Sequence, residues 1–265
     1  MLEVTDLTKH YGDVRALEDV SFTLNDGEFT VLLGQSGAGK STMLRCLNGL
    51  TSPTAGSVAL DGATLDNSRE DVAMVFQQHN LVEGFSAYTN ALTGSLGRHP
   101  FLRSVLQLVG RKEKLTALDA LGTVGLLDEA DQRVATMSGG QQQRVGIARA
   151  LVQQPDLLLA DEPVASLDPG SAETVMHYLK TAANEYDITT LVSLHQVNIA
   201  AYFGDRFLGL KDGELIFDGG PEELTPGVVD ELYGDVETVA LAEETAPDRK
   251  TTTDVTEPRL QEVRP

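Results

Sequence analysis

The sequence predicts an α/β fold with a mostly parallel sheet core, an antiparallel β part at the N-terminus and an inserted helical subdomain. Two observations support this fold class. Short apolar segments typical of strands alternate with segments of helical periodicity towards both ends of the chain, which favours parallel strands covered by helices. Between them, from about residue 80 to about residue 151, helical periodicity prevails, as in EKLTALDALGTVGLL, and indicates a subdomain inserted into the sheet fold.

The first part of the chain contains five predicted strands. In chain order they are LEVTDL, VSFTL, FTVLL, SVAL and VAMVF. NDGE, which separates the second and third strands, is a turn signal. The third strand leads into a glycine-rich loop and then into the helical segment TMLRCLNGL.

Strands and helices alternate again after the helical middle. The predicted elements are strand DLLLA, helix SAETVMHYLKTAANE, strand ITTLVSL, helix QVNIAAYF and the hairpin RFLGLKDGELIFDG, with a DG turn. We therefore expect one domain over residues 1–236. Residues 237–265 are polar and nearly free of aromatic side chains, which predicts a disordered tail, either a solvated segment adapted to salt or a regulatory contact.

The charge balance of the 265-residue chain is strongly acidic. Forty acidic residues against 20 basic ones give a net charge of −20. Proteins that bind nucleic acid usually carry basic patches, so we expect no nucleic-acid partner. Halophiles use such acidic surfaces, and the composition therefore indicates a salt-loving organism, with an acidic mesophilic protein as the alternative.

The sequence predicts a cytosolic protein whose contact with a membrane comes through a partner. Its one cysteine, Cys46, lies in an apolar helical pattern, so we expect it in the core. No apolar run reaches the ~18 residues of a membrane span. The N-terminal segment MLEVTDLTKH does not have the pattern of a signal peptide.

The segment GQSGAGKS, which follows strand FTVLL, matches the phosphate-binding pattern G-x-x-x-x-G-K-[ST]. Such a loop wraps phosphates with backbone N–H groups, its lysine reaches the β- and γ-phosphates, and its hydroxyl residue holds Mg²⁺. Lys40 and Ser41 have these positions. The other residues predicted to bind the nucleotide here are Gly34, Gln35, Ser36, Gly37, Ala38, Gly39 and Thr42.

A pair of carboxylates ends the apolar strand in DLLLADEP. Asp161 is a candidate ligand of Mg²⁺. Glu162, the next residue, is a candidate general base that polarises the attacking water. Together with the glycine-rich loop, this pair predicts a nucleoside triphosphatase.

A second glycine-containing helix start, in ATMSGGQQQRVGIARAL, specifies the kind of triphosphatase. Its residues Ser138, Gly139, Gly140 and Gln141 resemble the signature of ATP-binding cassette (ABC) proteins, and the motif order matches that family over about residues 1–235. The resemblance implies ATP and Mg²⁺ as ligands. Met137 departs from the leucine usual before the signature serine, but methionine is apolar and of similar volume.

The resemblance also implies roles for four single residues. Tyr11 matches the aromatic residue that stacks on adenine, and Gln77 matches the glutamine that senses Mg²⁺ and the attacking water and faces the membrane subunit. Asp168, in SLD, matches the loop that crosses the dimer interface. His195 matches the switch histidine that contacts the γ-phosphate.

In ABC proteins the nucleotide site is split between two molecules, which explains two phosphate-binding helix starts in one chain. The resemblance implies a head-to-tail homodimer in which the glycine-rich loop of one protomer and the signature of the other enclose ATP. Hydrolysis then releases the protomers. The family further implies integral membrane permease subunits as partners, with this chain as a peripheral protein on the cytoplasmic side of the cell membrane.

Within the family, DEPVASLD and LHQV look like the ATP-binding subunit of phosphonate importers. This resemblance implies an extracellular phosphonate-binding protein in the same complex. Two alternatives remain: the ATPase of another oxyanion importer, for phosphate or phosphite, and a non-transport ABC protein. Long coiled-coil insertions or a second cassette, which non-transport ABC proteins usually carry, are absent from the sequence.

Overall fold

The computed structural model describes residues 1–65, 70–77, 80–98 and 110–234. Within these ranges the strands are β1 (Leu2–Tyr11), β2 (Val14–Leu24), β3 (Phe29–Leu33), β4 (Ala55–Leu60), β5 (Ala63–Thr64), β6 (Val72–Val75), β7 (Leu157–Asp161), β8 (Thr189–Ser193), β9 (Arg206–Lys211) and β10 (Glu214–Gly219). The α-helices are α1 (Lys40–Leu47), α2 (Ala87–Leu92), α3 (Arg111–Thr123), α4 (Gly139–Val152), α5 (Pro169–Glu185), α6 (Val197–Phe203) and α7 (Pro226–Tyr233), with 3₁₀ turns at Thr93–Arg98 and Val134–Thr136.

The larger sheet has six strands in the order β10-β9-β3-β8-β7-β6, and all neighbours except β10 and β9 are parallel. The predicted α/β class with a mostly parallel sheet is therefore confirmed. Every residue of β3, β7 and β8 is buried, because helices or the second sheet cover both faces. Along β3, Val31 packs into the core on one face and Leu32 into the core on the other.

The smaller sheet has four antiparallel strands in the order β2-β1-β4-β5, which confirms the predicted antiparallel β part. FTVLL (β3) lies between β2 and β4 in the sequence but belongs to the parallel sheet. Helix α1 lies between the two sheets and contacts β2 of one and β7 of the other. Cys46 on α1 is 1% exposed, as predicted for a core residue.

Helices α2, α3 and α4 pack against one another within the predicted helical middle, and α4 also packs on α5. Helix α4 buries apolar side chains that include Val145, Ile147 and Leu151. The boundaries of the subdomain remain a prediction. The tail over residues 237–265, predicted to be disordered, lies outside the described residues.

Helix α7 is the main element that the sequence analysis missed; the two-residue strand β5 is another. Pro226 occupies its first turn, the position in which proline favours a helix start, and Val229, Leu232 and Tyr233 are buried. No helix in the described part of the chain combines the length and the apolar character needed to span a membrane.

Candidate functional site

The glycine-rich loop connects the carboxyl end of β3 to the first turn of α1. Gly37 and Gly39 have φ of 87° and 107°, and Gly34 has φ of 147°, conformations that other residues rarely adopt. Close packing adds a second restriction, since a Cβ atom at Gly34 would lie 2.2 Å from the Leu210 carbonyl oxygen. The glycines at these positions therefore shape the loop.

The ammonium group of Lys40 lies inside the curve of this loop. Its Nζ donates hydrogen bonds to the carbonyl oxygens of Gly34 at 2.6 Å and Gln35 at 3.0 Å, and lies 3.6 Å from Glu162 Oε1. Burial lowers the pKa of Lys40, while the negative charges of Glu162 and Asp161 act in the opposite direction. The structure thus holds a cation where the sequence predicts phosphates.

Asp161, at the carboxyl end of β7, accepts two hydroxyl hydrogen bonds on one oxygen. Ser41 Oγ donates to Asp161 Oδ1 at 2.9 Å, and Ser193 Oγ donates to the same atom at 3.0 Å. A hydroxyl and one carboxylate fit Mg²⁺, which is commonly bound by one or two carboxylates together with substrate phosphates and water. Two of the three residues predicted to bind Mg²⁺, Ser41 and Asp161, therefore lie together.

Glu162 follows directly and has φ of 45°, an unusual backbone conformation for a residue with a side chain. Its N–H donates to Ser193 Oγ at 2.9 Å. Its carboxylate is about three-quarters buried and lies between Lys40 and His195, whose Nδ1 is 3.9 Å from Glu162 Oε2. The predicted base and the predicted switch histidine are neighbours.

Two other candidates lie at strand ends. Gln77 comes two residues after β6, which is the neighbour of β7 in the parallel sheet, and its side chain is exposed. Tyr11 ends β1 of the smaller sheet and is 47% exposed, with Lys9 Nζ 4.9 Å from the centre of its ring. An exposed aromatic ring is available for stacking on a base.

The signature residues form the start of α4. Ser138 Oγ accepts from the Gln141 N–H at 3.3 Å, and Gln141 Oε1 accepts from the Ser138 N–H at 2.9 Å, which is a complete capping box. Asp168 caps α5 by accepting from the Ser171 N–H at 3.0 Å, and hydrogen bonds from the side chain and then the backbone of Ser171 lower the pKa of Asp168. Ser138, Gly140, Gln141 and Asp168 line one open cleft.

The two predicted phosphate sites remain separate within one chain. Across the described residues, no hydrogen bond or ion pair joins positions 138–141 to positions 34–42. Gly139 lies close to Leu167, and Gly140 lies close to Ser171, so the signature instead contacts the segment that contains Asp168. Met137, the departure from the usual leucine, is 6% exposed and packs in the core.

Sequence analysis missed two residues that contact the site. Ser193 bridges Asp161 and Glu162, and its position inside the apolar strand TTLVS was the only local signal. Tyr233 accepts a hydrogen bond from the Gly34 N–H, and nothing in its own neighbourhood of the sequence indicated this.

Comparison with known proteins places these features in a family. Residues 17–165 match the family model described as ABC transporter. The phosphonates import ATP-binding protein PhnC 2 of Haloquadratum walsbyi is 66% identical, over 91% of this chain and 85% of the relative. PhnC of Halobacterium salinarum is 64% identical, over 91% and 86%. A phosphite import ATP-binding protein of Stutzerimonas stutzeri, PxtA, is 50% identical, over 88% and 87%.

The fold agrees with solved structures. A dimeric bacterial ABC transporter cassette is 33% identical with a TM-score of 0.72, covering 83% of this chain and 99% of that protein. A dimeric cassette in a post-hydrolysis state, bound to ADP and phosphate, is also 33% identical with a TM-score of 0.70. Since the family model matches more than half of the chain and close relatives align along most of their length, the chain belongs to the ABC transporter family as an ATP-binding cassette.

Proposed function

We propose that this chain hydrolyses ATP to drive a phosphonate importer of the cell membrane. The assignment of phosphonate as cargo is supported by the identity of 66% and 64% to two proteins named as phosphonate import ATP-binding subunits. The observation that supports catalysis is the cluster formed by Lys40, Ser41, Asp161 and Glu162 at the carboxyl edge of the parallel sheet. Ligand sites in open α/β sheets lie at this edge.

The phosphate loop would hold the triphosphate of ATP with its N–H groups and with Lys40. Lys40 would exchange its bonds to loop carbonyl oxygens for bonds to phosphate, since both are acceptors within reach of the same ammonium group. Ser41 and Asp161, with Gln77, would hold Mg²⁺. Bound there, the metal would neutralise charge on the β- and γ-phosphates.

Glu162 would accept a proton from the attacking water. The Ser193 hydroxyl holds the backbone at this residue, which directs the carboxylate between Lys40 and His195. His195 would contact the γ-phosphate from its position beside that carboxylate. Tyr11 would stack on the adenine ring.

A second protomer would complete the site. The capping box uses the Gln141 N–H within the chain, while the helix start and its dipole favour an anion at the open cleft beside Ser138. In a head-to-tail homodimer this cleft would close on the γ-phosphate of the partner's ATP, with Asp168 at the interface. Loss of the γ-phosphate on hydrolysis would then weaken the dimer.

Closing and opening of the dimer would move integral membrane permease subunits, which would contact the chain near Gln77 and the helical middle. In this assembly the chain would lie on the cytoplasmic face of the membrane, and an extracellular binding protein would supply the phosphonate. No nucleic-acid partner is proposed, in keeping with the net charge of −20. Phosphite is the second candidate cargo, because the phosphite import relative is 50% identical.

The test reconstitutes the chain with the permease and binding protein of a phosphonate importer. ATP hydrolysis is measured with methylphosphonate, phosphite, phosphate or no addition, and complexes containing Glu162→Gln give the background. We expect stimulation by methylphosphonate above the other anions. Stimulation by phosphite or phosphate alone would reject the phosphonate assignment and retain the ATPase, whereas no hydrolysis under any condition would reject both.

A further inference from the structure

Tyr233, the last residue of α7, contacts the phosphate loop with both its side chain and its main chain. Its phenol oxygen accepts a hydrogen bond from the Gly34 N–H at 3.0 Å, across 199 positions of sequence. Its carbonyl oxygen accepts a second bond from the side-chain amide of Gln35. Helix α7, which contributes no residue to the recognised motifs, is thereby connected to the first two residues of the loop.

Packing fixes the position of this tyrosine. Tyr233 is 7% exposed, and its neighbours Val229 and Leu232 are 2% and 1% exposed in the main core. A Cβ atom at Gly209 would lie 2.8 Å from Leu232, so α7 lies tightly against β9. Strand β9 pairs with β3, the strand that leads into the loop, and α7 therefore provides a rigid support for the loop.

Gly34 is held on both sides of its α-carbon. Its N–H is bound by Tyr233, and its carbonyl oxygen accepts from Lys40 Nζ at 2.6 Å. The bond to Lys40 is the one that phosphate would displace. Lys40 takes no part in the bond between the Gly34 N–H and Tyr233, so we expect this bond to persist when Lys40 turns to phosphate.

We propose that Tyr233 is a positioning residue for nucleotide binding: its hydroxyl holds the phosphate loop in the shape that receives the phosphates. This inference rests on the proposed function, since it concerns the same site. Without the hydroxyl, the buried Gly34 N–H loses its acceptor and the loop must shift to satisfy it. A displaced loop presents its N–H groups and Lys40 less well to phosphate, so affinity falls.

Tyr233→Phe in the full chain tests the proposal, because it removes the hydroxyl and keeps the packed ring. The probe is MgADP, which binds without hydrolysis, and its Kd is measured by titration calorimetry. Loss of one hydrogen bond predicts a Kd about three- to tenfold higher. In ATPase assays we expect KM for ATP to rise by a similar factor and kcat at saturation to remain close to that of the unaltered chain.

Tyr186→Phe is the matched control, because Tyr186 is 45% exposed and its hydroxyl hydrogen-bonds the Thr123 hydroxyl at 3.0 Å, outside the loop. The control should bind MgADP normally. Gln35→Leu, which removes the second bond to Tyr233, should also raise Kd and serves if Tyr233→Phe folds poorly. A Tyr233→Phe protein with reduced thermal stability and unchanged Kd would overturn the proposal, while failure of the unaltered chain to bind MgADP would overturn the proposed function itself.

Discussion

Lys40 and Glu162 form a partly buried ion pair in which Nζ lies 3.6 Å from Oε1. One residue begins the helix after β3 and the other follows β7, so the pair joins the two halves of the predicted nucleotide site. The same ammonium group also donates to two loop carbonyl oxygens. Under the proposed function, a triphosphate entering the loop would replace these acceptors, and we expect the reaction to take place beside this pair.

Lys40→Ala should weaken the binding of MgATP at least tenfold and abolish turnover. The substitution removes the cation that faces the phosphates and leaves the Glu162 carboxylate to repel them. Equilibrium binding of a fluorescent ATP analogue measures the effect. Lys112→Ala, at an exposed position of α3, is the control and should bind as the unaltered chain does. Equal affinity in both variants would contradict the assigned role of Lys40.

Glu162→Gln should keep ATP affinity and lower kcat by about 10²-fold or more, the usual contribution of a general base. Because ATP then persists, the protein should accumulate as a dimer. Light scattering with size-exclusion chromatography measures its mass with MgATP and with MgADP. Glu214→Gln, on the exposed hairpin strand β10, should remain active. A Glu162→Gln protein that stays monomeric with saturating MgATP would refute the ATP-bound dimer.

The cluster around Asp161 could be predicted because each of its motif residues follows a recognisable strand. Parallel strands bring their carboxyl ends to one edge, so the loop after β3 and the carboxylates after β7 had to meet. Ser193 is different. Its register opposite Asp161 places its hydroxyl between two site residues, and register between distant strands is not visible in a single sequence.

Helix α7 shows a second limit of prediction from sequence. Thr225 and Pro226 are local signals of a helix start that were available but not used. The contact from Tyr233 to Gly34 could not be found in this way, because it depends on how α7 packs on β9. The sequence likewise distinguished two phosphate-binding helix starts, and the family resemblance already implied that they complete sites on different protomers.

Ser138→Arg should stop hydrolysis and leave nucleotide binding by the monomer intact. The bulky cation would fill the cleft beside Gly140 and Asp168, where the partner's γ-phosphate is expected, while the phosphate loop is untouched. Loss of the helix cap should also cost about 1 kcal/mol of unfolding free energy, measured in urea. Steady-state ATPase activity and MgADP titration separate the two effects.

Ser57→Arg provides the control for that variant, because it adds the same side chain at an exposed position of β4 in the smaller sheet. It should retain turnover. Normal hydrolysis by Ser138→Arg would reject the split site, and loss of MgADP binding would show that the signature contributes to the nucleotide site of its own chain.

Salt should stabilise the folded protein, and the accessibility of the Cys46 thiol to a labelling reagent should follow this stabilisation. Repulsion within a chain of net charge −20 acts over about 10 Å at 0.1 M salt but only about 3 Å at 1 M. Each kcal/mol of relieved repulsion should raise Tm by about 2–4 °C for a domain of this size. Calorimetric melting from 0.1 M to 2 M KCl measures the change, with equal osmolality of sucrose as the uncharged control.

Thiol labelling follows the same transition at constant temperature. Cys46 is 1% exposed, and burial raises the pKa of its thiol, with a smaller opposite effect from Lys9. The native protein therefore presents neither an accessible sulfur nor a large thiolate fraction. In 2 M KCl we expect a thiol reagent at pH 8 to leave Cys46 unmodified, and in dilute buffer we expect it to react as the chain unfolds. Equal labelling rates at both salt concentrations, with an unchanged Tm, would show that surface repulsion does not limit the stability of this fold.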